Sequence, residues 1–529
     1  MILFASLFSI AVRHLTFTTA AALSTVTLDY GTFTGLTNKT TGITSFLGIR
    51  YADPPLGQLR WQPPRSPPSK SLGNVNATAY GFACIGTTQT GSGATTDEDC
   101  LFGNVYIPAG TTATSALPVL VFFHGFESGR TSKYPPDNLL LSSAEPLIFA
   151  TFEYRLGQFG FLAGTPVHDN GTLNVGLLDQ KAALQWIQSY IKLFGGSPTR
   201  VTIMGQSAGA GSVLYHMIGE GGENDDLFHQ VIGDSPPLLT LLTYTDAFVE
   251  NLFTQFAGLA GCGKKATGAA TMSCLRAAST NTLATAGSKT LENLTSSLYP
   301  FGPIADGSYI QELPVDALSN GNFVHVPVLF GSNTDEGANW SAELANPNAN
   351  TSSAKATETT VYNFLAGQYT TLTNESFQTA VADYYPLSDY NNSFSLQGQQ
   401  MYGEMRYICT ALLVTGTVAD AGLDSYQYHW DNPTLGSTHG DELVAFFTGT
   451  QVLDPLDDTL VVAMREYWTS FVTSGTPVAA DSIAWPMARG SDGSPRILLH
   501  PGGIGVEEVD DSLEERCEFW HGLASELHL

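Results

Sequence analysis

The chain has 529 residues, 43% hydrophobic and 13% charged, with 22 Lys and Arg against 49 Asp and Glu for a formal charge of −27. That balance describes a globular protein with an ample core and excludes coiled-coil and disordered classes. The acidic surface excludes nucleic acid as a partner, because phosphates would be repelled.

The first residues, Met-Ile-Leu-Phe-Ala-Ser-Leu-Phe-Ser-Ile-Ala-Val12, form an apolar run too short to span a bilayer, and small residues Ala20 to Ala22 follow it. This predicts a secretory signal over residues 1–22, although the basic n-region is missing and Arg13 follows the apolar run. Residues 23–529 are then expected as one domain. No later stretch is apolar and long enough for a membrane helix, so no stable membrane anchor is expected. Six cysteines suit an oxidising compartment. None forms a Cys-x-x-Cys pair and no His-x-x-x-His occurs, so neither metal nor cofactor is expected. Eight Asn-x-Ser/Thr sequons, at Asn38, Asn76, Asn170, Asn293, Asn339, Asn350, Asn374 and Asn391, agree with secretion.

Along the chain, alternation after Thr25 predicts a short two-stranded start. Residues 117–123, Leu-Pro-Val-Leu-Val-Phe-Phe, are a continuous apolar run ending at His124-Gly125, as a buried parallel strand would. Residues 147–152 predict another strand. Apolar positions Ala182, Ala183, Trp186, Ile187 and Tyr190 predict an amphipathic helix over residues 179–191. Val201-Thr-Ile-Met204 then predicts a strand and residues 208–218 a packed helix, with Gly205-Gln-Ser207-Ala-Gly209 between them. Gly-x-Ser-x-Gly at a strand-to-helix turn lifts a serine hydroxyl clear of the backbone, which makes Ser207 a candidate nucleophile. In a chain with 53 glycines the pattern counts only through that context. Strands alternating with helices predict an α/β fold with a mainly parallel sheet.

Four blocks carry a resemblance: Phe46-Leu-Gly-Ile-Arg-Tyr-Ala with Pro54-Pro55; Glu98-Asp-Cys-Leu; Asn174-Val-Gly-Leu-Leu-Asp-Gln180; and Phe194-Gly-Gly-Ser-Pro-x-x-Val-Thr-Ile-x-Gly-Gln-Ser-Ala-Gly209. In this order they resemble the type-B carboxylesterase and cholinesterase-like family of α/β-hydrolases, and the similarity runs on to Cys517-Glu-Phe-Trp520. The resemblance implies an α/β-hydrolase fold: a large, mostly parallel sheet, helices on both faces and helical insertions over the active site. It also implies a serine hydrolase that acts on carboxylic esters without a cofactor.

In such a fold an acid and a histidine follow the nucleophile in that order. Val326-Pro-Val-Leu-Phe-Gly-Ser-Asn-Thr-Asp-Glu-Gly337 is an apolar strand breaking into an acidic turn, and both Asp335 and Glu336 qualify chemically. The family's Asn-x-Asp-Glu-Gly pattern implies Glu336, leaving Asp335 to the turn. Of eleven histidines, His429 sits on an alternating strand and reads as structural. His439 lies in a loop and matches the family's His-Gly-x-Glu element, which implies the general base.

The chain departs from its relatives at the oxyanion hole. Where the family carries a run of glycines, this chain reads His124-Gly-Phe-Glu-Ser-Gly129. Backbone donors are still possible, so Gly125, Phe126 and Ala208 are the candidates. Gln206 replaces the glutamate many relatives carry. By family position the disulfides are Cys84–Cys100, Cys262–Cys274 and Cys409–Cys517, and Arg60–Glu98 and Arg155–Asp179 are buried ion pairs. Residues 85–99 are short, polar and free of aromatics. That loop shows neither a lipase lid nor the tryptophan that meets a choline cation, which favours a general esterase on small-molecule esters. Residues 246–259, 345–360 and 362–385 are expected over the site, with a surface insertion as the other reading of 345–360. The competing functions are a lipase on long-chain acylglycerols and a catalytically silent adhesion or scaffold protein. Neither the natural ester nor the oligomeric state is legible.

Overall fold

The computed structural model describes residues 23–126, 129–223, 225–342, 344–447, 453–491 and 493–529. The signal reading at residues 1–22 lies outside them. Fourteen described strands occur: β1 Thr25–Leu28, β2 Gly31–Thr34, β3 Leu36–Thr37, β4 Thr44–Arg50, β5 Asn74–Asn76, β6 Phe102–Ile107, β7 Leu117–Phe123, β8 Ile148–Phe152, β9 Gly196–Gln206, β10 Gln230–Asp234, β11 Val328–Asn333, β12 Ser425–Trp430, β13 Arg496–Leu499 and β14 Gly505–Glu507. Three (β1, β2, β5) make a small sheet, and the other eleven make one large sheet in the order β14-β13-β12-β11-β10-β9-β7-β8-β6-β4-β3. From β8 to β13 every neighbouring pair is parallel, and the pairs at both edges are antiparallel.

Burial on both faces explains why these strands read as continuous apolar runs. Successive side chains point to opposite faces. Val119, Val121 and Phe123 of β7 therefore enter one core, and Leu120 and Phe122 enter the other. Val231 and Ile232 of β10, like Phe330 and Leu329 of β11, divide the same way. Helices Val175–Tyr190, Ala208–Ile218 and Cys409–Asp420 cover the first face, while Val444–Phe447 and Pro455–Ser474 cover the second. Each fully buried Leu, Ile or Phe contributes roughly 1.5–3 kcal/mol, so this layering is the main source of stability. A third apolar cluster joins Phe364, Tyr402, Tyr407 and Trp520, linking the insertion helices to the C-terminal helix Asp511–Gly522.

Helix Val175–Tyr190 starts four residues before its amphipathic pattern does. Its first turn is apolar throughout, with Val175, Gly176 and Leu177 buried, so no polar face marks it, and Asn174 holds the entry with φ +52° and a side-chain bond to Ile304 O at 2.9 Å. The three disulfides join Cys84 to Cys100, Cys262 to Cys274 and Cys409 to Cys517. Arg60 meets Glu98 at 2.5 and 2.7 Å, and Arg155 meets Asp179 at 2.7 and 2.6 Å, both pairs buried. Removing one partner of either would strand a buried charge.

Candidate active site

Ser207 stands between β9 and helix Ala208–Ile218 with φ +57° and ψ −129°, a conformation that L-residues rarely adopt. Its neighbours hold it there. Its N–H donates to Asp234 O at 2.9 Å, and its carbonyl accepts from Gly211 N at 2.9 Å. The flanking glycines are required by contact. A Cβ on Gly205 would collide with the Gly209 backbone, and one on Gly209 with the Phe123 carbonyl. The turn can be this tight only because both side chains are absent.

At the same sheet edge, β11 ends at Asn333 and the next turn separates the two acidic candidates. Asp335 is exposed and pairs through backbone with the 437–438 segment, its N–H donating to Ser437 O at 2.8 Å. Glu336 is wholly buried. Its Oε1 accepts from Asn333 N–H at 2.7 Å and from the Ser235 hydroxyl at 2.5 Å, and its Oε2 meets His439 Nδ1 at 2.5 Å. Those donors leave the carboxylate one orientation. Tyr407 and Trp340 pack against the His439 ring at centroid distances of 4.2 and 5.0 Å, fixing its plane. With Nδ1 bound to a carboxylate, the neutral ring carries its proton there and presents a bare Nε2. That Nε2 lies 3.4 Å from the amide nitrogen of Gln206, the residue before Ser207. His429 is elsewhere, bonded to Glu507 at 2.8 Å and to Thr334 at 2.9 Å.

A second carboxylate layer lies beneath. Asn333 Nδ2 donates to Glu442 Oε2 at 2.5 Å, and burial together with the charges of Asp234 and Glu336 holds the Glu442 carboxyl well above the usual range. Burial likewise pushes Asp234 up to about 8. Burial thus disfavours the charged form of both groups. Asn333 and Glu442 lie inside the sequence blocks that singled out the acid and the histidine, so their pattern was in view, but their buried bond was not. Ser235, Trp340 and Tyr407 left no sequence signal.

Ser207, Ala208, Gly125 and Phe126 line one cavity. Phe126 O accepts from Gly157 N at 3.0 Å and Tyr154 OH donates to His124 O, so the loop after β7 is held by its carbonyls. Among the described residues the N–H groups of Gly125, Phe126 and Ala208 have no partner. They are free to bind an oxyanion. A Cβ at Gly129 would strike the His124 ring, so this loop keeps one required glycine although it lacks the glycine run; Glu127 and Ser128 lie outside the described residues.

The cavity's far walls correct one expectation. Phe248, Val249 and Leu252 of helix Ala247–Leu259 contribute, as do Gly367, Gln368 and Thr370, but no residue of 345–360 does. That segment packs on the third apolar cluster instead, with buried Ala349 beside Phe364 and Tyr402 and buried Thr351 bonded to the Ser341 hydroxyl at 2.9 Å. The walls also come from 297–304 and from Arg406 and Tyr407, which the sequence did not mark. The Cys84–Cys100 loop stays out of the cavity, its Ser92 N–H bonding Asn281 at 3.1 Å. Among the described residues no cluster of His, Cys, Asp and Glu could hold a metal.

The carboxylesterase family model matches residues 22–520. Secreted lipase 1 of Botryotinia fuckeliana is 31% identical over 88% of this chain and 88% of its own. Carboxylesterase 1E of Mus musculus is 29% identical over 94% of this chain and 92% of its own. The crystal structure of Aspergillus niger EstA superposes with a TM-score of 0.84 at 30% identity, covering 96% of this chain and 99% of that one. An α/β-hydrolase sheet and sequence similarity from end to end therefore agree, and the chain belongs to the carboxylesterase family, enzymes that cleave carboxylic ester bonds.

Proposed function

We propose that the protein is a secreted, general serine carboxylesterase with Ser207 as nucleophile, His439 as general base and Glu336 as the acid that holds it. The observation that carries this reading is the 2.5 Å bond between buried Glu336 and His439, beside a serine held on a strained, glycine-flanked turn. In this mechanism His439 Nε2 takes the Ser207 proton as Oγ attacks the ester carbonyl. The N–H groups of Gly125, Phe126 and Ala208 stabilise the tetrahedral oxyanion, each worth about 3 kcal/mol by precedent. His439 then protonates the departing alcohol, and water, deprotonated by the same ring, hydrolyses the acyl-Ser207. Glu336 keeps the ring in its Nδ1–H tautomer and balances the imidazolium.

Residues 1–22 act as the leader and 23–529 as one catalytic domain. All eight sequon asparagines are exposed or half-buried, which supports secretion. Among the described residues no helix is long and apolar enough to cross a membrane. The small polar Cys84–Cys100 loop favours an esterase, whereas similarity to Secreted lipase 1 favours a lipase as the second reading.

Turnover of p-nitrophenyl acetate, butyrate and palmitate, with Ser207→Ala as control, tests both. We expect turnover of the short esters and none by the variant. Palmitate preferred in emulsion would establish the lipase. No turnover of any ester and no organophosphate labelling would leave the catalytically silent protein.

A further inference from the structure

We propose that Arg406 makes this cavity a receptor for esters that carry a free carboxylate, such as half-esters of short dicarboxylic acids; this rests on the esterase reading above. Arg406 is only 5% exposed, yet it lines the same cavity as Ser207. It lies in a π-helical turn, Glu404–Ile408, between helices Phe394–Gly403 and Cys409–Asp420. Such widened turns are rare and concentrate at functional sites. Here the turn lets two consecutive residues, Arg406 and Tyr407, both reach the cavity, one facing the ligand space and the other also packing on His439.

Among the described residues no carboxylate pairs with this guanidinium, and its buried Nε has no hydrogen-bond acceptor. Its neighbours are tyrosines, with Tyr299 at 5.6 Å and Tyr402 at 5.9 Å from the guanidinium carbon and the Tyr369 hydroxyl bonded to the side chain. The one acid in its own turn, Glu404, faces away and is spent on Arg516 at 2.7 and 2.8 Å and on Tyr385 at 2.6 Å. The backbone is pinned, with Arg406 O accepting from Leu238 N at 2.7 Å. The Thr240 hydroxyl is a second buried polar group without a partner in the same cavity.

A buried cation without an anion is costly, and aromatic faces offset only part of that. A ligand carboxylate would complete the site through the paired donors of the guanidinium. Arg406 is the only basic residue among the described cavity walls, so one negative charge is matched and a dianion would be left half-neutralised. Phe161, Phe248 and Leu252 give the rest of the ligand an apolar wall. The chain's overall −27 charge works against the approach of an anion, but only over about 8 Å at physiological salt, so the selectivity belongs to the cavity.

Calorimetry on Ser207→Ala separates this proposal from catalysis. The probes are monobutyl succinate, glutarate and adipate, each compared with its neutral butyl methyl diester. We expect at least one half-ester to bind about tenfold or more tightly than its diester. Arg406→Met should erase that ratio and Arg406→Lys should retain part of it. If Arg406→Met fails to fold, the ratios in the Arg406 protein decide alone. The proposal is overturned if none of the three half-esters outbinds its diester, or if a folded Arg406→Met keeps the ratio. Failure of the esterase reading is seen separately, as absence of p-nitrophenyl ester turnover by the wild-type enzyme, and leaves the binding comparison intact.

Discussion

Replacing Glu336 by glutamine tests the triad at its most constrained atom. Glu336 Oε1 accepts from two groups, the Asn333 N–H at 2.7 Å and the Ser235 hydroxyl at 2.5 Å. The backbone N–H can only donate, so in Glu336→Gln the amide oxygen stays on that side and the NH2 turns toward His439 Nδ1. A donor facing Nδ1 forces the proton onto Nε2, the atom that must accept the Ser207 proton. The variant thus keeps shape and packing while reversing the tautomer. In a Ser-His-Asp triad the corresponding acid-to-amide change lowers kcat about 10⁴-fold. We expect kcat/KM for p-nitrophenyl butyrate to fall about 10³- to 10⁴-fold, a loss of about 4–5 kcal/mol of transition-state stabilisation. The loss should sit in kcat, and the melting temperature should move by only a few degrees. Asp335→Asn, at the exposed neighbour, should stay near wild-type activity. If Glu336→Gln kept more than a tenth of kcat/KM, or if Asp335→Asn fell as far, the assignment of the acid would be wrong.

Two further outcomes follow from the same geometry. Gly209→Ala would drive a methyl into the Phe123 carbonyl, so we expect loss of soluble protein or destabilisation by about 3 kcal/mol or more, whereas Gly258→Ala, with open space at its Cβ, should be neutral or stabilising in urea titration. A soluble, normally stable Gly209→Ala would contradict the close approach. His216 bonds Tyr309 OH at 2.5 Å and Gln180 Oε1 at 2.9 Å, and burial, with a smaller push from Lys181, lowers its pKa to about 3. The folded state keeps this ring neutral where the unfolded chain, near 6.5, protonates it. Its contribution is therefore fully present above about pH 6.5 and lost as pH falls toward 3, with a slope approaching 1.4 kcal/mol per pH unit. The acid limb of urea-derived stability should be shallower in His216→Gln, and an unchanged slope between pH 6 and 4 would refute the cause.

Much of the site was legible because its signals are local. Ser207 announces itself through Gly205 and Gly209, since the tight turn leaves no room for a side chain at either of those two positions. The strand at 117–123 is readable because a doubly covered strand must be apolar throughout. Asp335 and Glu336, by contrast, are adjacent and chemically alike, and only the resemblance pointed to one of them. Tertiary structure separates them physically: the turn after β11 buries Glu336 against Asn333 and Ser235 and leaves Asp335 in solvent. The 345–360 segment allowed two readings because its composition says nothing about which neighbour it packs on, and it packs on the third apolar cluster without lining the cavity. The glycine-poor loop after β7 looked deficient in sequence, yet its backbone N–H groups are unpartnered, a property no side-chain pattern encodes.

The sequence by itself therefore determined the doubly covered parallel strands and the glycine-flanked turn at Ser207, because periodicity and steric exclusion act over a few residues; the order of acid and histidine came through the resemblance. Only the tertiary structure decided which carboxylate is buried, which N–H groups stay free and that Arg406 enters the cavity without a counter-ion. Those outcomes depend on desolvation and on partners brought together from segments more than a hundred residues apart, such as Ser235 and Glu336.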